Sequence, residues 1–449
     1  MRASLGRGKG WIGLKGGAPI LLGFLLSGCL TAWLLFSCLP IRPAEVTVTA
    51  TATSTPERVE PTLTMEATPP STITPEPTTP TPAATAPPEA TETTTPTSPP
   101  PRPPRLASPE YGMQAFLWWR PETAWRDLDL VKGAGFTWVK QVFAWVDIEG
   151  AEKGAYDWSR TDRIVEDANS RGLHILAAVF KPPAWLGPNY PASGASNNYQ
   201  DLADFLAALA TRYKGRIRAY SVWNEPNISR EWGAPPDPEG YAALLKVAYR
   251  AIKAADPKAL VISAGLSPTT RGPDAEAMPD TIFVRRAYQA GAAPYFDLLG
   301  IHAPGYKAPP ELDPAQVVGN PAYDNVGDTS PPERHRAYCF RHAEDLRQIM
   351  VEFGDSGKQV AILEFGWTSD PRPDSPYRWH AVSEEEKADY LVRAYQYAKQ
   401  HWAPWIGLMS LIYISDPDWG PEDEQYWWAI TEPDGSHRPA YVLLSQMEK

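Results

Sequence analysis

Ala219-Tyr220-Ser221-Val222-Trp223-Asn224-Glu225-Pro226 joins a short apolar run to an Asn-Glu-Pro turn. A carboxylate just past the end of a buried strand, beside an Asn and followed by a rigid Pro, faces a pocket rather than bulk water. The setting recurs about 140 residues later in Gln359-Val360-Ala361-Ile362-Leu363-Glu364-Phe365-Gly366-Trp367, where Glu364 again closes an apolar run. Two strand-end carboxylates can divide the work of proton donor and nucleophile. Each residue also has a plainer reading: a solvated loop Glu, a rim Glu in a structural ion pair, or an Asn that satisfies its own turn. The recurrence of the setting favours the chemical reading.

Working outward, apolar runs alternate with helical patterns about eight times after residue 105. Strands are expected at 111–116, 136–143, 174–179, 219–223, 260–264, 296–302, 359–363 and 406–412. Ser159–Arg171 ends at Gly172, as a C-capped helix does. Asp201–Tyr213 places Leu202, Phe205, Leu206 and Leu209 at helical spacing. Ser383-Glu384-Glu385-Glu386 is a capping box that opens a helix to about His401. Continuous apolar strands separated by helices imply parallel pairing with both faces covered. Eight such units in about 340 residues predict an α/β fold of the (β/α)8 TIM-barrel class. Active residues in that class cluster at the C-terminal strand ends, where Glu225 and Glu364 fall on the fourth and seventh strands. The long connections at about 303–332 and 415–439 are expected to wall a cleft.

Three regions differ in composition. Residues 1–42 carry five basic residues, no acid and a 20-residue apolar run from Ile20 to Leu39. That length suffices to span a hydrocarbon core, and four of the five charges precede it, which predicts a membrane-anchor helix with its N-terminus in the cytoplasm. The alternative is a cleaved lipoprotein signal, because Leu26-Ser27-Gly28-Cys29 resembles a bacterial lipobox, although apolar residues continue to Leu39. Residues 43–105 hold 17 Pro and 19 Thr in 63 positions and no aromatic, so a disordered stalk is expected. Residues 106–449 hold 16 of the 18 Trp, enough for one large domain. Either reading of the N-terminus places that domain outside the cell, tethered at the surface.

The 106–449 region has 34 basic and 46 acidic residues, a net charge of −12. This argues against nucleic acid or an anionic membrane surface as its ligand and suits a neutral one. Cys339 is the single cysteine there, so no disulfide can form within the domain; it lies in a helical pattern and is expected to be a buried small hydrophobe.

At the two Glu motifs the chain resembles the retaining glycoside hydrolases of clan A, the grouping that includes families 5, 39 and 42. Phe143-Ala144-Trp145-Val146-Asp147-Ile148-Glu149 with Gly154-Ala155-Tyr156-Asp157-Trp158 also looks like the clan's strand-two exit. The likeness covers the chain from about Ser108. It implies hydrolysis of O-glycosidic bonds in poly- or oligosaccharides by double displacement, with Glu225 as acid/base and Glu364 as nucleophile. It implies that Asn224 bonds the 2-hydroxyl of the sugar being cleaved. Several members carry an Arg near the end of strand two that supports the nucleophile; here the nearest candidate is Lys140. Some place a Tyr two residues after a His at strand six, whereas this chain has His302-Ala303-Pro304-Gly305-Tyr306. His302 could orient Glu364, bind a sugar hydroxyl or be a satisfied core histidine.

Trp145, Trp185, Trp367, Trp419, Trp427 and Trp428 lie at or beyond strand ends and could offer aromatic faces to sugar rings. Trp145, Trp367 and Trp419 are expected in the substrate site with Tyr306. The chemistry needs no cofactor, and the seven His show no metal-ligand spacing. The expected partner is carbohydrate, with no nucleic acid, membrane contact only through the N-terminal anchor, and a monomeric state. Two rival functions use the same features: a non-catalytic cell-surface glycan-binding barrel, and a transglycosylase that excludes water.

Overall fold

The computed structural model describes residues 105–449. The anchor and lipobox readings, and the stalk up to residue 104, lie outside the described residues. Among the described residues no helix is long and apolar enough to cross a membrane.

Eight strands close into one parallel barrel in chain order. They are β1 (Glu110–Gln114), β2 (Trp138–Ala144), β3 (His174–Phe180), β4 (Ala219–Val222), β5 (Leu260–Ser263), β6 (Leu298–His302), β7 (Gln359–Phe365) and β8 (Ile406–Leu411). Closure comes from β1 pairing with β8, where Gly112 is opposite Ser410 and Met113 opposite Leu411. This is the (β/α)8 architecture that the apolar runs predict. β2 begins at Trp138 rather than at residue 136, because Gly135 turns the chain in a left-handed conformation and the Phe136 amide is held by the Val131 carbonyl.

Strand faces divide between two cores. Inward side chains near the bottom of the barrel, Trp138, Leu176, Ala219, Leu260, Leu298, Leu363 and Leu408 among them, pack with Leu106. Leu106 is fixed there by Gln359, whose Oε1 accepts from the Leu106 amide and whose Nε2 donates to the Leu106 carbonyl, each at 3.0 Å. The chain therefore enters under the barrel and plugs it, opposite the face that carries Glu225 and Glu364. Outward side chains meet the helices. Helix Gln200–Arg212 buries Leu202, Phe205, Leu206 and Leu209, the stripe read from their spacing. Helix Glu384–Tyr397 opens with the expected capping box: Ser383 Oγ accepts from the Glu386 amide at 3.1 Å, and Glu386 Oε2 accepts from the Ser383 amide at 2.8 Å. Such a cap contributes about 1 kcal/mol.

Cys339 is buried, but it lies in extended backbone between the short helical turns Pro332–Ala337 and Phe340–His342, not inside a helix. Burial pushes its thiol up to about 12, an inert small hydrophobe.

With no disulfide in the domain, buried polar ties fasten the helical layer. His342 is one. Its Nε2 lies 2.9 Å from Asp280 at the start of helix Asp280–Gln289, and its Nδ1 lies 2.9 Å from Asp345 in helix Ala343–Glu352. Burial alone pushes the imidazole pKa down, but the Asp280 and Asp345 carboxylates outweigh it and raise it to about 10. A pKa raised above the unfolded value of about 6.5 stabilises the fold fully below that pH, and the contribution fades as pH rises toward 10. His342→Gln is therefore expected to destabilise the domain by about 3 kcal/mol or more near pH 6. Its deficit relative to wild type should shrink between pH 7 and 10, as read from urea unfolding across that range. A deficit independent of pH would remove the charged imidazole from the account.

Candidate active site

β4 ends at Val222, and the chain turns sharply. Trp223 and Glu225 both have left-handed backbone conformations, with φ of 74° and 38°. Non-glycine residues adopt these conformations only where their surroundings hold them. Here the Trp223 amide bonds Val179 O at 2.9 Å, the Glu225 amide bonds Gly265 O at 2.9 Å, and Trp223 Nε1 donates to Glu231 O at 2.9 Å. Asn227 fixes the far side by donating to Ser267 O and Met278 O and accepting from the Ser267 amide. The turn lifts the Glu225 carboxyl toward the barrel axis.

On the opposite wall, β6 and β7 pair regularly as far as Ile301 and Ile362, after which the register slips and His302 aligns with Glu364. A bulge at a strand end re-aims side chains. His302 Nδ1 lies 3.1 Å from Glu225 Oε1 and 3.9 Å from Glu364 Oε2, so those two oxygens are no more than about 7 Å apart. One imidazole thus stands between both carboxylates. Its other nitrogen has no hydrogen-bond partner among the described residues and lies against Gly265, where an added Cβ would come within 2.1 Å.

Lys140 on β2 completes the group. Its Nζ donates to Glu364 Oε1 at 2.6 Å, with only 4% of the lysine side chain exposed. Lys140 stands where an Arg was expected from the family pattern. For Glu364, burial favours the neutral acid, but Lys140 and then His302 outweigh it, and the carboxyl is held below its ordinary range. Glu225 has no ammonium at hydrogen-bond distance. Its nearest cation is Arg230, 3.7 Å from Oε2.

Three residues of this site carry no motif. Tyr413, just after β8, buries its hydroxyl without a hydrogen-bond partner among the described residues. Burial, followed by Glu424, Glu364, Tyr377 and Glu225, keeps that hydroxyl protonated far above its ordinary range. Arg230 and Glu231 lie in the short helix Ser229–Trp232. Burial and then Glu225 push Glu231 up to about 7, against the cation of Arg230 and a hydrogen bond from Asn224. Asn224 is accordingly half-buried beside Glu225 with its side chain bonded to Glu231. The only sequence signal for Arg230 and Glu231 was nearness to the Asn-Glu-Pro turn.

The aromatic expectations fare unevenly. Trp145 is a core residue, not a platform: it is wholly buried, stacks on Phe205 at 5.1 Å and donates to Glu149 Oε2 at 2.6 Å. Trp367 is also sealed, since its Nε1 donates to Ala308 O at 2.9 Å and Gly305 lies so close that a Cβ there would come within 1.8 Å of the indole. Trp419 is half-buried against Phe116 and Tyr413, next to the orphan hydroxyl. Tyr306 donates to Pro268 O at 3.0 Å and stacks on Trp379, forming one wall beyond β6. Trp185 and Trp427 are half-buried on the β3 and β8 exits, and Trp428 is buried with its Nε1 on Glu424.

With this geometry in view, comparison with known proteins is informative. Residues 103–290 match the model of Cellulase (glycosyl hydrolase family 5), a span that contains Glu225 and stops before Glu364. The barrel is similar in fold to those of solved glycoside hydrolases. A family 39 glycoside hydrolase from Bacteroides cellulosilyticus WH2 superposes with a TM-score of 0.56 at 22% identity, covering 76% of this chain and 63% of that one. A GH5_18 protein from Streptomyces cattleya, solved in complex with GlcNAc, gives 0.52 at 15% identity over 76% and 80%. In sequence, the chain is 27% identical over 132 residues to beta-galactosidase LacZ of Heyndrickxia coagulans. That match spans 25% of this chain and only 20% of the galactosidase.

Two variants probe the geometry. Lys140→Met removes the cation that keeps Glu364 ionised, so the acidic limb of kcat/KM on an activated aryl glycoside should move to higher pH. An unmoved limb would show that Lys140 does not set the charge of Glu364. Gly265→Ala drives a methyl into His302 and should lower kcat by about a hundredfold through misplacement of the carboxylates. Wild-type kcat in that variant would mean that His302 positions neither acid.

Proposed function

We propose that this glycosidase cleaves O-glycosidic bonds of poly- or oligosaccharides with retention of configuration, by double displacement. The observation that carries the reading is the unequal treatment of two carboxylates facing one imidazole. Glu364 has a buried ammonium at 2.6 Å and is held ionised, as a nucleophile must be. Glu225 has the His302 imidazole nitrogen at 3.1 Å from one oxygen, and its second oxygen has no hydrogen bond among the described residues.

In the first step Glu364 attacks the anomeric carbon while the bond to the leaving oxygen breaks. Glu225 gives that oxygen its proton. Glycosyl-ester formation cancels the Glu364 charge, and Glu225, now the carboxylate, takes a proton from water as it attacks the same carbon. The upper bound of about 7 Å between the two oxygens accommodates the retaining separation of about 5–5.5 Å and only the shortest inverting ones. Lys140 keeps Glu364 charged before attack and stabilises it as it leaves in the second step. The Tyr413 hydroxyl, short of a partner beside both acids, is placed to bond the substrate or the nucleophile. The half-buried Asn224 amide, next to Glu225, is assigned to the hydroxyl beside the anomeric centre. Residues 1–105 are assigned to surface tethering, which membrane fractionation of full-length against residue-106-start protein would test.

Incubation with a panel of 2-deoxy-2-fluoro glycosides, followed by peptide mass mapping, should place the label on Glu364. An effective inactivator that labels a different peptide would displace it as nucleophile. Glu225→Ala should lose about 10²–10⁴-fold on natural substrate, keep more activity on glycosides with good leaving groups, and recover with azide. Full hydrolysis by that variant would remove Glu225 from the mechanism, and products dominated by transfer would favour the transglycosylase reading.

A further inference from the structure

Arg230 is a charged group at the mouth of the barrel that the double displacement does not use. Its guanidinium stands 3.7 Å from Glu225 Oε2 and 3.9 Å from Glu231 Oε1, both beyond hydrogen-bond length. None of its N–H groups donates a hydrogen bond within the described residues, and 30% of the side chain is exposed. A guanidinium with an open donor fork is suited to a carboxylate, which it grips with two parallel hydrogen bonds.

Its position specifies which sugar it would meet. Glu225 Oε1 is occupied by His302, so Oε2 is the oxygen that delivers the proton to the leaving group. Arg230 lies 3.7 Å from that oxygen, which under the double displacement puts it on the leaving-group side. The local charge balance agrees. Lys140 and Glu364 neutralise one another, and burial pushes Glu424 up to about 9, so it is neutral at pH 7. Glu231, pushed up to about 7, is half neutral there. Arg230 therefore stands among neighbouring carboxyls that burial largely neutralises, with both of its ion-pair contacts longer than a hydrogen bond.

We propose that Arg230 forms a carboxylate-binding subsite for a hexuronic acid residue on the leaving-group side of the cleavage point, so that the enzyme prefers acidic, uronate-bearing saccharides.

The inference rests on the glycosidase reading, and its test separates the two. D-glucuronate and D-galacturonate are titrated into the full-length protein by calorimetry, beside D-glucose and D-galactose. Each hexuronate should bind about tenfold or more tightly than its neutral counterpart, with an advantage that falls as NaCl is raised. Arg230→Gln should abolish the advantage, and Arg230→Lys, which keeps the charge but lacks the fork, should retain part of it. Equal binding of acid and neutral sugar by wild type, or an advantage that survives in Arg230→Gln, overturns the proposal. Turnover of aryl glycosides by wild type is read independently: turnover without hexuronate preference sinks this inference alone, whereas no turnover of any glycoside sinks the hydrolase reading.

Discussion

A buried ammonium 2.6 Å from a buried carboxylate governs the mouth of this barrel. Taking either charge out of water alone would cost several kcal/mol, and the pair is tolerated because each neutralises the other. From that pairing the rest of the site takes its order. Glu364 is held toward the charged form by Lys140 and then by His302. His302 stands between the two, its Nδ1 3.1 Å from Glu225 and 3.9 Å from Glu364. Chemically equal side chains become unequal through their neighbours.

Much of the architecture was legible because parallel strands covered on both faces read as continuous apolar runs. Each of the eight runs became a strand, and the two that end in Glu placed their carboxylates at the same mouth. Strand-end chemistry survives translation from sequence because the strand direction fixes which end of the barrel a residue occupies. The bulge that aligns His302 with Glu364 was not legible, since a register slip belongs to a pair of strands rather than to either one. Lys140 could be read as inward on β2, and which carboxylate it met depended on β7, far along the chain; that carboxylate is Glu364.

The tryptophans show where strand-end position ceases to inform. A residue just past a strand can turn inward to the cleft or outward under the N-terminus of the next helix. Trp145 turns outward and stacks on Phe205 of helix Gln200–Arg212, while Trp367 is covered by Gly305. Both outcomes are set by residues distant in sequence, and large aromatic surface is buried wherever a neighbour offers a face. Arg230 and Glu231 were missed for the converse reason. Their approach to Glu225 requires the short helix Ser229–Trp232 to fold back, which depends on the Ser229 amide reaching Glu276 O and on Asn227 bridging Ser267 and Met278.

Two left-handed residues within three positions, Trp223 and Glu225, make the β4 exit a strained turn. Each costs on the order of 1–3 kcal/mol, a large fraction of a domain's net stability. The turn holds because its backbone amides and one indole N–H are bonded to separate elements: β3 through Val179, the β5 exit through Gly265, and the short helix through Glu231. Strain opposed from several directions leaves little freedom for the Glu225 carboxyl. In the proposed acid step, a carboxyl fixed before substrate arrives would lose no orientation entropy at the moment of bond cleavage, which is where a tightly bonded turn on rigid strands would serve better than a mobile loop.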